Sequence, residues 1–181
     1  MEIVRIFEGR NGEGGLYAMR YAKSSPDEFT RMFRLWDDLQ YVREFCIAHF
    51  DDLQSSFKWP HSLEECVQEI MDEAEQMESQ LYEFCATTEL QQIFKPLRNH
   101  EYVLYPLQQS KACVISNMYR RPKIRIYAIR LAPDLFIITG GAIKLTATMQ
   151  ERPHLMEELA KLERARTWLK ENNLDIPDAL N

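Results

Sequence analysis

The chain has 181 residues, 45% of them hydrophobic and 28% charged, with a formal net charge of −6. That length supports one hydrophobic core, and the apolar content excludes a disordered or low-complexity chain. No run of about 18 apolar residues occurs, and the start, MEIVRIFEGR, lacks the apolar stretch of a secretory signal, so a cytoplasmic protein with no membrane segment is expected.

Charge is unevenly placed. Residues 1–100 hold 10 Lys/Arg against 19 Asp/Glu, and residues 101–181 hold 12 against 9. From Lys111 to His154 eight basic residues meet two acidic ones, whereas His61 to Glu89 carries nine acidic residues and no Lys or Arg. A local positive field attracts a polyanion even on an acidic protein, provided the acidic segment faces away. Cys46, Cys66, Cys85 and Cys113 form no C-x-x-C pair, and His49, His61, His100 and His154 are scattered. The spacing predicts reduced, buried thiols and no metal site.

In chain order, EIVRIF and LYAMRY alternate as strands, and the NG and GG between them are turn signals, so Glu2–Tyr21 is expected to be a hairpin. SSPDEF opens a helix, with Ser25 as cap, Pro26 at the first position and Glu28 completing a capping box. Met32, Leu35, Leu39, Val42, Cys46, His49 and Leu53 recur at steps of three and four, which carries that helix to about Leu53. After QSSFKWPH, Ser62 and Glu65 form a second capping box. Leu63, Val67, Ile70, Ala74, Met77, Leu81 and Phe84 continue as a second long helix. Together they predict an antiparallel helix hairpin over about 26–95, ending in a short helix at Thr88–Phe94 stopped by Pro96. Strands are expected at Lys111–Asn117, Lys123–Leu131 and Asp134–Thr139, the last continuing through the glycines as AIKL. The short link APD pairs the latter two antiparallel. Thr148 and Glu151 can cap a final helix opened by Pro153, with Leu155, Leu159, Leu162, Arg166 and Leu169 inward and Glu157 and Glu158 near its positive end. The whole is one α+β domain over 1–181: strand or hairpin, long helix hairpin, antiparallel sheet of about three to five strands, C-terminal helix.

The chemistry concentrates in the last third. In KIRIYAIRL, Lys123, Arg125 and Tyr127 share one face, and Ile124, Ile126 and Ala128 meet the helices. Cations on such a face can hold phosphate, and a tyrosine can stack on a base or move a proton. Arg120 and Arg121 extend the cluster to RRPKIR, a composition suited to nucleic-acid backbone contacts, and Lys111 opens the same basic segment. Gly140 and Gly141 match no phosphate-loop pattern; they mark a bulge or a close backbone approach, and a bulge would turn Lys144 and Thr146 toward the face of Arg125. His154 stands at the start of the last helix, as a cap or as an acid–base group.

Taken together, KIRIYAIRL, DLFIIT, GGAIKLT and RPHLMEELAKLERARTWL resemble the HigB-like, phage-derived branch of the RelE/ParE toxin superfamily, over about residues 107–170. The resemblance implies a toxin that cuts messenger RNA on the ribosome, needs no metal or cofactor and is neutralised by a helix-turn-helix antitoxin. By position, Arg125 matches the family's mid-strand arginine, Lys144 the first lysine of K-K-T and Thr146 the threonine. Gly140 stands in place of the histidine, Ala142 of the phenylalanine and Leu145 of the second lysine. The catalytic set so implied is Arg125, Tyr127, Lys144 and His154, with Lys111, Arg120, Arg121, Lys123 and Thr146 holding RNA. The alternative is a non-catalytic RNA- or protein-binding module on the same fold, and a homodimer through the long helices is a third reading.

Overall fold

The computed structural model describes residues 1–12, 14–52, 62–98, 100–101, 103–115, 122–144 and 153–174. It is an α+β arrangement built on one mixed sheet of six strands in the order β1-β2-β6-β5-β4-β3. β1 (Glu2–Glu8) and β2 (Gly15–Arg20) form the expected hairpin, with Glu2 opposite Arg20. β3 (Phe94–Pro96), β4 (Gln108–Ala112), β5 (Ile124–Ala132) and β6 (Leu135–Ile143) follow as antiparallel neighbours. The hairpin joins this group through β2, which runs parallel to β6 with Ala18 opposite Ile138. The sheet is therefore wider than expected and not wholly antiparallel.

The helical half also departs from the expected hairpin. Its first arm is two helices, α1 (Glu28–Trp36) and α2 (Leu39–Ala48). Asp38 makes the break: its carboxylate accepts from the N–H groups of Gln40 and Tyr41 and so starts a new helix. The cap of α1 is Asp27, accepting from Thr30 N, whereas Ser25 lies in the preceding turn, its N–H bonded to Ala22 O. The second arm, α3 (Leu63–Ala86), begins on the reciprocal Ser62–Glu65 capping box. A short helix α4 (Leu90–Ile93) leads directly into β3, so Pro96 lies in a strand and does not stop a helix. Proline is tolerated there because β3 is an edge strand. β4 starts earlier than expected and ends at Ala112. The final helix, α5 (Pro153–Glu171), begins at the proline, while the Thr148–Glu151 cap lies outside the described residues.

Two apolar clusters clamp the sheet. Ile124, Ile126, Ala128, Phe136 and Ile138 pack with α1–α4, joined by the stacked rings of Phe94 and Phe136 with centroids 4.5 Å apart. On the opposite face Tyr127, Ile129, Leu131 and Ile137 pack with Leu162, Ala165 and Leu169 of α5. The period-two alternation of β5 thus feeds two cores, one per face. The acidic helix α3 lies on one side and α5 on the other. No helix among the described residues is long and apolar enough to cross a membrane.

Candidate functional site

The basic residues divide. Arg125 and Lys111 come together on the α5 face of neighbouring strands, Lys111 standing opposite Tyr127 and Arg125 two residues along from it. The Arg125 guanidinium donates through Nη1 to the carbonyls of Pro122 (3.0 Å) and Ile124 (2.8 Å). Lys111 Nζ donates to Leu97 O at 2.7 Å. Burial lowers the Lys111 pKa, and the positive charge of Arg125 lowers it further. These carbonyls orient both cations at this end of the sheet, where Glu73 of α3 also lies close enough to Arg125 to feel its charge. Lys144 joins them: Arg125 pairs with Ala142, and Lys144 extends the ladder through its N–H to Lys123 O at 2.7 Å.

Other residues of the expected set lie elsewhere. Lys123 is 4% exposed and turns to α3, its Nζ 2.9 Å from Glu69 Oε2, so it does not share the outward face of Arg125. Glu73 on the same helix accepts the N–H groups of Lys123 (2.9 Å) and Ile124 (2.7 Å), which anchors the start of β5. Tyr127 is 1% exposed beneath α5, and its hydroxyl has no hydrogen-bond partner. The ring is therefore closed to base stacking, and burial raises its pKa. His154 sits in the first turn of α5, with its side chain outside the described residues; Arg120, Arg121 and Thr146 also lie outside them.

A second site went unread in the sequence. β2 pairs with β6 only as far as Ala18 and Ile138, and α1 and α5 close over the β6 edge that continues beyond. Two buried carboxylates meet there, Glu28 of α1 and Glu158 of α5. Arg31 grips Glu28 with both arms, at 3.0 and 2.7 Å. Lys161 Nζ bridges Glu158 Oε1 (2.8 Å) and Glu28 Oε2 (3.2 Å), and Arg31 lies 3.7 Å from Glu158 Oε1. The Tyr21 hydroxyl closes the edge by donating to Thr139 O at 2.8 Å. Burial raises the Glu158 pKa, opposed by the hydrogen bond and charge of Lys161.

The paired glycines belong to this network. A Cβ on Gly140 would lie 1.8 Å from Glu158 Oε2 and 3.5 Å from Glu28 Oε2. One on Gly141 would meet Met32 Sδ at 2.5 Å and Arg125 O at 2.7 Å. The ladder also bulges here: Ile138 faces Ala128 and Gly140 faces Tyr127, leaving Thr139 extra, its hydroxyl donating to Tyr127 O at 3.2 Å. Both expected roles of the glycines, bulge and close approach, are realised at adjacent positions.

Two cavities flank α1. One of about 190 Å³ borders the network, walled by Trp36, Tyr41 and Phe45 with Glu157 and Glu158 of α5. The other, about 470 Å³, is an acidic groove between α1 and α3 carrying Asp37, Asp72, Glu75 and Glu78. It opens on the helix side, across the sheet from Arg125 and Lys111. Cys46, Cys66 and Cys85 are buried free thiols, with Cys66 Sγ 3.5 Å from Cys46 Sγ, and Cys113 is half-buried. Among the described residues no group of three or more His, Cys, Asp or Glu is placed to hold a metal ion. No family model, no curated protein and no solved structure matches the chain.

Proposed function

We propose that the chain is a RelE-like toxin of the HigB branch that cuts messenger RNA on the ribosome, with Lys111, Arg125 and Lys144 gripping the phosphate. The observation that carries the reading is the pair Lys111 and Arg125, two cations on one face of neighbouring strands, close enough that the charge of Arg125 lowers the Lys111 pKa. Holding two like charges together costs free energy that a bound phosphate recovers. Of the acidic helix α3, Glu69 and Glu73 reach the start of β5, where Glu69 pairs with Lys123 and Glu73 feels the charge of Arg125. In the reaction a ribose 2′-hydroxyl gives up its proton and attacks the adjacent phosphorus, the bond to the 5′-oxygen breaks as a 2′,3′-cyclic phosphate forms, and the leaving 5′-oxygen takes up a proton; the enzyme stabilises the charge on the phosphorane and moves both protons. Arg125 and Lys144 serve the charge; Tyr127 and His154 are the proton-moving candidates. A helix-turn-helix antitoxin is the partner that would silence it.

Binding without cleavage is the second reading. The burial of Tyr127 favours it, because an enclosed hydroxyl cannot reach substrate without an opening of α5. Tightly controlled induction, with transcript ends mapped in the same cells, separates the two. Growth arrest with new ends inside translated messages, absent in the Arg125→Ala/Lys144→Ala variant, is the nuclease result. Normal growth with intact transcripts, from protein shown to be soluble and folded, gives the binding reading. Full cleavage by the double variant removes the assignment.

A further inference from the structure

The buried thiols are not equivalent, because two of them touch across a helix interface. Cys46 of α2 and Cys66 of α3 are 0% and 1% exposed, and Cys66 Sγ donates to Cys46 Sγ at 3.5 Å. Cys85 lies far along α3, and Cys113 is half-buried just past β4. Lys123 stands close enough to the pair for its charge to be felt, its Nζ held by Glu69, one turn along α3 from Cys66. The hydrogen bond from Cys66 lowers the Cys46 pKa against the effect of burial, and the charge of Lys123 lowers it further. The same bond, with burial, raises the pKa of Cys66. Cys46 is therefore the nucleophile of the pair and Cys66 the thiol that keeps its proton.

Access to the pair depends on α2. Val42 and Cys46 are the only residues of that helix that are buried, while its Leu39 and Ile47 are 59% and 51% exposed. A helix anchored so lightly opens locally at small cost, and the opening brings Cys46 to solvent. Reclosure returns it to Cys66. Closing the sulfurs from 3.5 Å to the ~2.05 Å of a disulfide asks each to move by less than about 1 Å.

We infer that Cys46 and Cys66 form a reversible, peroxide-driven disulfide that locks α2 onto α3. The Cys46 thiolate attacks one oxygen of hydrogen peroxide. The O–O bond breaks, Cys46 becomes a sulfenic acid, and the departing hydroxide takes up the proton that the thiol released. Cys66 then gives up its proton and attacks the Cys46 sulfur. The S–S bond forms, the S–O bond breaks, and the hydroxyl leaves with that proton as water. Two thiols and one peroxide become one disulfide and two waters; the sulfurs lose the two electrons that the peroxide oxygens gain. A dithiol reverses the bond by thiol–disulfide exchange. The lock sits one turn from Glu69 and two from Glu73, the residues that hold the start of β5.

The test is treatment of the whole native protein with hydrogen peroxide, alkylation of the remaining thiols, and mass mapping of trypsin and Glu-C peptides. The Cys46 and Cys66 peptides should appear joined, lighter by two hydrogens than their sum, and should separate on adding dithiothreitol. Closing a loop of 20 residues should raise Tm by roughly 6–12 °C, a rise that the reductant removes. Cys113→Ser should cross-link like wild type. Cys66→Ala should stop at the Cys46 sulfenic acid, captured by dimedone; should that variant fail to fold, the wild-type map decides. No cross-link, oxidation confined to Cys113, a bond that takes in Cys85 or Cys113 instead, or a Cys46–Cys66 bond that leaves Tm unchanged would overturn the inference.

Discussion

Gly140→Ala tests the ion network through a single methyl group. The added Cβ would fall 1.8 Å from Glu158 Oε2 and 3.0 Å from Glu158 Cδ, well inside contact distance. A free glutamate would swing aside. This one is buried and pinned by Lys161 at 2.8 Å, so either the carboxylate leaves the network or the strand shifts. Overpacking of that kind costs about 2 kcal/mol, which for a chain of this size lowers Tm by about 4–8 °C. Backbone strain adds nothing, because Gly140 is not among the glycines with positive φ. The decisive comparison is a double-mutant cycle with Glu158→Ala, followed by thermal and urea unfolding. In that background the clash is gone, and alanine should be neutral or stabilise by about 0.5 kcal/mol, through the reduced freedom of the unfolded chain. A loss of equal size in both backgrounds would refute the account.

Gly141→Ala should cost more, about 3 kcal/mol, because the obstructing Arg125 carbonyl belongs to the backbone and cannot swing; a Tm within a degree or so of wild type would contradict it. Glu73→Gln should lose about 1–2 kcal/mol in urea unfolding, since an amide offers one oxygen to the two N–H groups that start β5, and an unchanged midpoint would count against that anchor. Burial raises the Glu158 carboxyl above its ordinary 4.5, so its favourable contribution is full below that pH and is lost as pH rises through the native value. Glu158→Gln should therefore gain on wild type as pH rises from about 4.5, and a Tm difference flat with pH would show that the native carboxyl is not raised. Tyr127→Phe removes a buried hydroxyl with no partner and should leave stability within about 0.5 kcal/mol or raise it; a loss of 2 kcal/mol or more would reveal a bond to that oxygen.

Local patterns were legible where a local cause decides them. The Ser62–Glu65 cap, the start of α5 at Pro153 and the antiparallel β5–β6 pair all arise from residues a few positions apart. The break between α1 and α2 was not, because the apolar stripe runs on through Leu35, Leu39 and Val42 while Asp38 interrupts the backbone beneath it. The parallel union of β2 with β6 depends on partners 120 positions apart and leaves no trace in either strand. The same distance hid the ion network. Glu28 and Glu158 each have a sufficient local reading, a cap residue and a dipole partner, and nothing near either one announces that the other lies beside it. Lys123 misled for a related reason: alternation sets the face of a strand residue, but Lys123 precedes the first residue of β5 and is steered by Glu69.

The parallel strand pair also sets a clock. β2 emerges from the ribosome long before β6, and with Ala18 waiting for Ile138 at about 5–20 residues per second the delay is roughly 6–24 s. Throughout that interval the hairpin presents an unpaired inner edge to the cell, flanked by Leu16 and Ala18 that end up fully enclosed. Lys161 arrives later still, so Glu28 spends the same period without the lysine it will share with Glu158. A nascent chain interrupted anywhere before β6 is thus left with an open sheet, exposed to chaperone capture or degradation, and the face that α5 covers is closed only as that helix is made.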